Sequence, residues 1–331
     1  MQQLIKNTQA YRLLQAERAK NRLSHAYLLL LDVKRNLRNA LKTFAKVIFG
    51  CDTPRTDAER RLAERIDKET FSDCLFFPAA DKKFVVEDAE KLTEECMLRP
   101  VEGDIKAFAI ADFAEANIPS QNKLLKLLEE PPEDVVFLLG ATTAFPVLPT
   151  VLSRVAKLEI SPFDERDVAA ALQRIYTDGK YTDNDFSLCA AASGGSVGEA
   201  QNTLEGGDYR ALVDEAFALL LCTKEALPSQ IKKTGETKRK KELLYLLRLI
   251  FRDALLQKTQ ADGKENPHIL LRVENARLKR VAERFSLSTL LFAQNELSKA
   301  ELHTFFNATF AQCLELLVAK IFENDAKARL R

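Results

Sequence analysis

Between residues 25 and 160 the chain alternates five short apolar runs with segments of helical periodicity: Ala26 to Leu31, Leu75 to Phe77, Ala107 to Ala111, Val135 to Gly140 and Lys157 to Ile160. That alternation is the pattern of a parallel sheet with helices on its faces, because each strand needs a crossover before the next can pair in the same direction. Asn36 to Ile48 sets Leu37, Leu41, Phe44 and Ile48 at near-helical spacing. A second helix is predicted to open near Ser120, to carry Leu124, Leu125, Leu127 and Leu128 on one broad face, and to stop at Pro131-Pro132. Within Cys51 to Thr70 the string DAERRLAERID predicts an exposed helix held by neighbouring opposite charges.

At 331 residues the chain exceeds one typical domain. Ser161-Pro162-Phe163 marks a boundary, and Asp164 is placed to cap the helix that follows. Residues 164–205 read as short helices separated by Gly179, Gly194-Gly195 and Gly206-Gly207. From Asp208 to Arg331 the periodicity is helical throughout, near 208–225, 237–259, 266–284 and 286–324. The expected organisation is therefore an α/β domain over 1–162, a small helical module over 163–207 and an all-α domain over 208–331.

With 49 Lys+Arg against 48 Asp+Glu the net charge is +1, so no global field draws in nucleic acid, membrane or an acidic partner. The basic run Lys232-Lys233 and Lys238-Arg239-Lys240-Lys241 has no interleaved aromatics and reads as a solvated loop beside Gly235. The six cysteines form no CxxC pair, so reduced structural thiols are expected and no metal site. The N-terminal stretch is polar and no apolar run has the ~18–20 residues of a membrane span, so a cytoplasmic location is expected.

The turn after the first apolar run, Asp32-Val33-Lys34-Arg35-Asn36, contains no glycine. A phosphate-binding loop at that place works through backbone geometry: glycines let successive amides close on phosphate oxygens at a helix N-terminus, a lysine reaches the terminal phosphates, and Ser or Thr holds magnesium. The string LLLLDVKRNLRNALK cannot assemble that cradle. Lys34 reads as a solvated turn charge, with a phosphate lysine as the alternative.

SHAYLLL, LLKLLEEPPE, LPTVLSRV and SGGSVGEA, in that order, resemble the clamp-loader ATPase family, and within it the delta-prime class of the bacterial DNA polymerase III clamp loader. The resemblance implies a AAA+ module, made of a parallel five-stranded sheet domain and a small helical lid, followed by a helical collar that holds a five-membered ring together. Leu243, Leu246, Leu247 and Ile250 would then be core or collar-interface positions, with core favoured.

Carried over residue by residue, Ser153-Arg154-Val155 falls on the family's Ser-Arg-Cys motif, whose arginine projects onto a neighbour's ATP, with Ser153 in support. A planar, permanently charged fork suits the charge that spreads over the γ-phosphate oxygens in phosphoryl transfer. The alternative is a structural arginine bound to helix C-terminal carbonyls, and the strand-end context favours the functional role. Ala111 and Asp112 stand where an active ATPase has its magnesium-orienting Asp and water-polarising Glu, and Gly198 stands where a nucleotide-sensing arginine would be. Thr142-Thr143 take the place of the first sensor. Cys51 and Cys74 are all that flank the position of the family's four-cysteine zinc module.

The implied function is a subunit without its own ATPase activity and without a cofactor, which completes a neighbour's site through Arg154. Its partners would be gamma/tau-like and delta-like subunits, and through them the sliding clamp and primed DNA. Two alternatives stand beside it: an active AAA+ clamp-loader ATPase with an unorthodox phosphate site around Lys34 and Arg35, and a replication-associated scaffold in which Arg154 has no role.

Overall fold

The computed structural model describes all residues except 80, 81, 208, 260–265, 267, 305–309, 330 and 331. They form two compact units, Met1–Phe163 and Asp164–Arg331. The first holds strands β1 (Ala26–Leu30), β2 (Cys74–Phe77), β3 (Lys106–Ile110), β4 (Val135–Ala141) and β5 (Ala156–Glu159). It also holds helices α1 (Gln2–Lys6), α2 (Gln9–Ala19), α3 (Leu37–Ile48), α4 (Asp57–Asp67), α5 (Val86–Cys96), α6 (Ile118–Glu129) and α7 (Pro149–Leu152).

All strand pairs are parallel, in the order β2-β3-β4-β1-β5. Because side chains alternate across a strand, β1 to β4 each feed two separate cores, while the edge strand β5 packs one face and exposes Lys157 and Glu159 on the other. Tyr27, Leu29, Ala107, Ala109, Val136 and Leu138 face one core, with Leu41, Phe44 and Ile48 of α3 and with Tyr11 and Leu14 of α2. Leu28, Phe108, Ile110, Phe137 and Leu139 face the other, with Leu92 of α5 and Leu124, Leu127 and Leu128 of α6. The five runs expected from the sequence are the five strands, each shifted by a residue at most.

Local signals set the helix ends. Thr56 and Glu59 close a capping box on α4, with Glu59 N–H donating to Thr56 Oγ1 at 3.2 Å. Its Arg65 does not stay local but forks onto Glu102 at 2.6 and 2.7 Å. Helix α6 begins two residues before Ser120, because the cap is Asn117: its Oδ1 accepts from Ser120 N–H at 2.9 Å and from Ser120 Oγ at 2.6 Å. Asp164 occupies the cap position of the helix that follows it, but its side chain makes no capping bond.

The second unit contains α8 (Glu165–Ile175), α9 (Asp183–Ala192), α10 (Val197–Glu205), α11 (Tyr209–Leu221), α12 (Leu227–Gly235), α13 (Lys240–Thr259), α14 (Asn275–Arg284), α15 (Leu287–Thr304) and α16 (Phe310–Arg329). Helices α8, α9 and α10 pack together, and α9 also meets α11 and α13. The helices on both sides of Gly206-Gly207 therefore belong to one compact unit, and Asp208, the expected first residue of the last domain, lies outside the described residues, as does Arg331. Leu243, Leu246, Leu247 and Ile250 are all buried within the chain. The basic run departs from expectation: Lys232 and Lys233 sit in the last turn of α12 rather than in a loop. Gly235 ends that helix against α16, where a Cβ would come within 3.1 Å of Ala311. The stretch expected as one helix over 286–324 holds α15 and part of α16, and residues 305–309 between them are outside the described set.

Two positions report on the packing. Gly140 on β4 lies under α3, where a Cβ would meet Leu37 Cγ and Leu41 Cδ1 at 3.1 Å. Gly140→Val should destabilise the chain by about 1–3 kcal/mol, as overpacking does; urea unfolding measures it, and undiminished stability would mean that α3 is not seated on this strand. Glu165 is the second case. Burial raises its carboxyl from the ordinary 4.5 to about 7; Asp253 adds to the rise, while Arg272, Arg252 and Arg166 oppose it. The folded state then binds more protons than the unfolded state between those values, so stability falls as pH climbs from about 4.5 to 7. Thermal melts should show a smaller loss between pH 5 and pH 8 for Glu165→Gln than for the parent chain.

Candidate functional site

In a parallel sheet every strand points the same way, so the residues after β1, β3 and β4 gather along one edge, where open α/β sheets bind ligands. After β1 the backbone makes a 3-10 turn over Lys34–Asn36. Asn36 N–H donates to Val33 O at 3.4 Å and Leu37 N–H to Lys34 O, so amides at the entrance to α3 are used by the turn itself. Lys34 is not simply solvated. Its Nζ lies 3.0 Å from Asp112 Oδ2 and 3.1 Å from Glu115 Oε1, with the side chain 54% exposed, and Lys83 adds a second ammonium 3.5 Å from Glu115. The bond to Asp112 holds the Lys34 ammonium above its ordinary range, and Lys34 holds the Glu115 carboxyl below its own.

Asp112 follows β3 and Ala111 in left-handed backbone, φ 52°, at the head of a 3-10 turn over Phe113–Glu115. That conformation sits beside the pairing of its carboxylate with Lys34. Thr142 and Thr143 lie just past the end of β4 rather than on it, both exposed, and Thr143 Oγ1 accepts from Phe145 N–H at 3.3 Å. In the second unit Gly198 is buried in the first turn of α10, which Ser196 caps through its Oγ.

Arg154 lies on the opposite edge. It precedes β5, whose first residue, Ala156, pairs with Tyr27 near the start of β1. The arginine therefore stands at the amino ends of the strands, contrary to the strand-end placement expected from the sequence. It borders an open cleft of about 610 Å³ lined by Ser24, His25, Leu128, Glu129, Ser153, Arg154, Val155 and Ala156. At ~3.3 Å per residue, a five-residue strand separates the two edges by roughly 16 Å. Arg154 and Lys34 thus cannot converge on one phosphate.

Short helix α7 and the Ser153 turn position the guanidinium. Nη1 donates to Thr150 O at 2.7 Å and to Ser153 Oγ at 3.1 Å, and Nη2 pairs with Glu129 Oε1 at 2.8 Å. The carbonyl contact expected of a structural arginine is thus present, while the side chain stays 34% exposed. Gln121, 1% exposed, ties α6 to this segment: Nε2 donates to Ala116 O and Pro146 O, and Oε1 accepts from Leu148 N–H at 2.9 Å.

Neither Gln121, Glu129 nor His25 stands in a binding or catalytic pattern legible from the sequence, although Glu129 is the last helical residue before the double proline. His25 Nε2 is buried without a hydrogen-bond partner beside the cleft. Cys51 and Cys74 are buried free thiols, and burial pushes Cys51 up to about 11. Among the described residues no group of three or more His, Cys, Asp or Glu could hold a metal ion, and no helix is long and apolar enough to cross a membrane.

Residues 6–164 match the family described as DNA polymerase III, delta subunit. The chain is 32% identical over 203 residues to the tau/gamma subunit of DNA polymerase III from Haemophilus influenzae, covering 60% of this chain and 28% of that protein. It is 29% identical over 161 residues to the tau subunit from Escherichia coli, covering 47% and 25%. The chain thus spans little more than a quarter of the length of these relatives. Among solved structures, a gamma subunit-related protein from Thermotoga maritima superposes with TM-score 0.41 at 15% identity, covering 94% of this chain and 98% of that one. The clamp loader delta protein of Bacillus subtilis gives 0.33 at 12%, covering 94% and 99%. The family match from residue 6 to residue 164 thus takes in essentially the whole α/β unit, just under half of the chain.

Proposed function

We propose that this chain is a non-hydrolysing, delta-prime-like subunit of the DNA polymerase III clamp loader, which presents Arg154 to ATP bound by an adjacent gamma/tau-like subunit. The observation that carries the reading is the turn after β1: it is closed by its own 3-10 bonds, and its lysine is paired with Asp112 and Glu115. A phosphate cradle needs amides that converge on the ligand, and this glycine-free turn spends its own internally. Here two ammonium groups, Lys34 and Lys83, face two carboxylates, so the cluster offers no net positive charge to a triphosphate.

Arg154 supports the second half of the reading. Its separation from that turn by the length of a strand suits action on a neighbour's nucleotide, where a planar fork stabilises charge on the transferred phosphoryl group. Val155 in place of the motif's cysteine leaves the guanidinium unaltered. Ser153, through its Oγ contact to Nη1, is the supporting residue. In this reading residues 163–207 serve as lid and 208–331 as collar, the chain joins gamma/tau-like and delta-like subunits in the cytoplasm, and the assembly loads the sliding clamp on primed DNA.

An arginine supplied in trans is worth about 10³–10⁵ in rate at the site it serves. With the loader's other sites intact, Arg154→Ala should lower the clamp- and DNA-stimulated ATPase rate of the reassembled loader by at least about twofold, and Arg154→Lys should not restore it. An unchanged rate at saturating clamp and DNA removes the trans role and leaves the scaffold reading. Isothermal titration of the isolated chain with ATP and magnesium should give no binding; micromolar binding would instead favour an active ATPase built around Lys34 and Arg35.

A further inference from the structure

The guanidinium that would reach a neighbour's phosphate is already bonded at both terminal nitrogens, and one of its partners is an anion. Nη2 meets Glu129 Oε1 at 2.8 Å, while Nη1 is held by Thr150 O and Ser153 Oγ. Carboxylates and phosphates seek the same face of the arginine fork, so a phosphate cannot take both terminal nitrogens while Glu129 keeps one. Glu129 is also well placed to hold on. It is the last residue of α6, whose far end is bolted to the segment before α7 by Gln121, and whose leucines are buried against the sheet.

We infer that Glu129 is a positioning residue that keeps Arg154 folded back over its own cleft and yields it to the polyphosphate of a nucleotide bound next door. This rests on the trans role proposed above. Both partners are partly solvated, Arg154 34% and Glu129 48% exposed. An exposed pair of this kind is weak, so the more highly charged triphosphate displaces the carboxylate, while an unassembled chain keeps its arginine covered. Thr150 O and Ser153 Oγ remain on Nη1 as the pivot about which the side chain turns.

The test uses full-length chain reassembled into the loader, with Glu129→Ala, the near-isosteric Glu129→Gln, Arg154→Ala and the double variant Glu129→Ala/Arg154→Ala. Thermal melts of each isolated chain check the fold. Both Glu129 variants should raise kcat/KM for ATP about two- to fivefold, the scale of an exposed ion pair, and tighten binding of a nonhydrolysable ATP analogue to the loader by a similar factor. The gain should shrink with added salt and vanish in the double variant, which a merely structural role for Glu129 would not produce. If Arg154→Ala slows the loader but the Glu129 variants leave kcat/KM unchanged or lower it, the restraint is refuted and the trans role stands. If Arg154→Ala has no effect, the trans role falls and the restraint with it.

Discussion

The position of β1 between β4 and β5 organises the α/β unit. Its side chains are buried on both faces, and it pairs from Ala26 with Phe137 on one side and from Tyr27 with Ala156 on the other. That double pairing fixes two edges. At one, β1 runs into the Lys34 turn beside the end of β3; at the other, it begins beside the turn that carries Arg154. The two sites are held apart by a rigid, close-packed layer rather than by a flexible loop.

The chemistry divides along the same line. At the carboxyl edge, cations and carboxylates of this chain satisfy one another: Lys34 with Asp112 and Glu115, and Lys83 with Glu115. At the amino edge the guanidinium of Arg154 is bonded but still partly open to solvent, above a cleft. Exposed ion pairs contribute little to stability, so neither cluster holds the fold together. That work is done by the two apolar cores, which leaves the polar groups at each edge available for recognition.

Much of this was legible in the sequence. The strands followed from short apolar runs separated by crossovers, and α6 from its leucines and the Pro131-Pro132 stop. Errors arose where local chemistry competes. The start of α6 depended on Asn117 rather than Ser120 because the capping oxygen precedes the amide it accepts from. Lys232 and Lys233 looked like loop residues because charge and Gly235 argued against a helix, yet α12 gains its stability by packing on α16, where the absence of a Cβ at Gly235 permits close approach to Ala311.

By itself the sequence determined the number and direction of the strands and the lack of glycines in the turn after β1, since periodicity and backbone freedom are local properties. Only the tertiary structure decided that Lys34 faces Asp112 and Glu115, that Arg154 stands on the opposite edge from them, and that Glu129 holds it. Those pairings join residues from different crossovers, and strand order, which no local pattern encodes, brings them together.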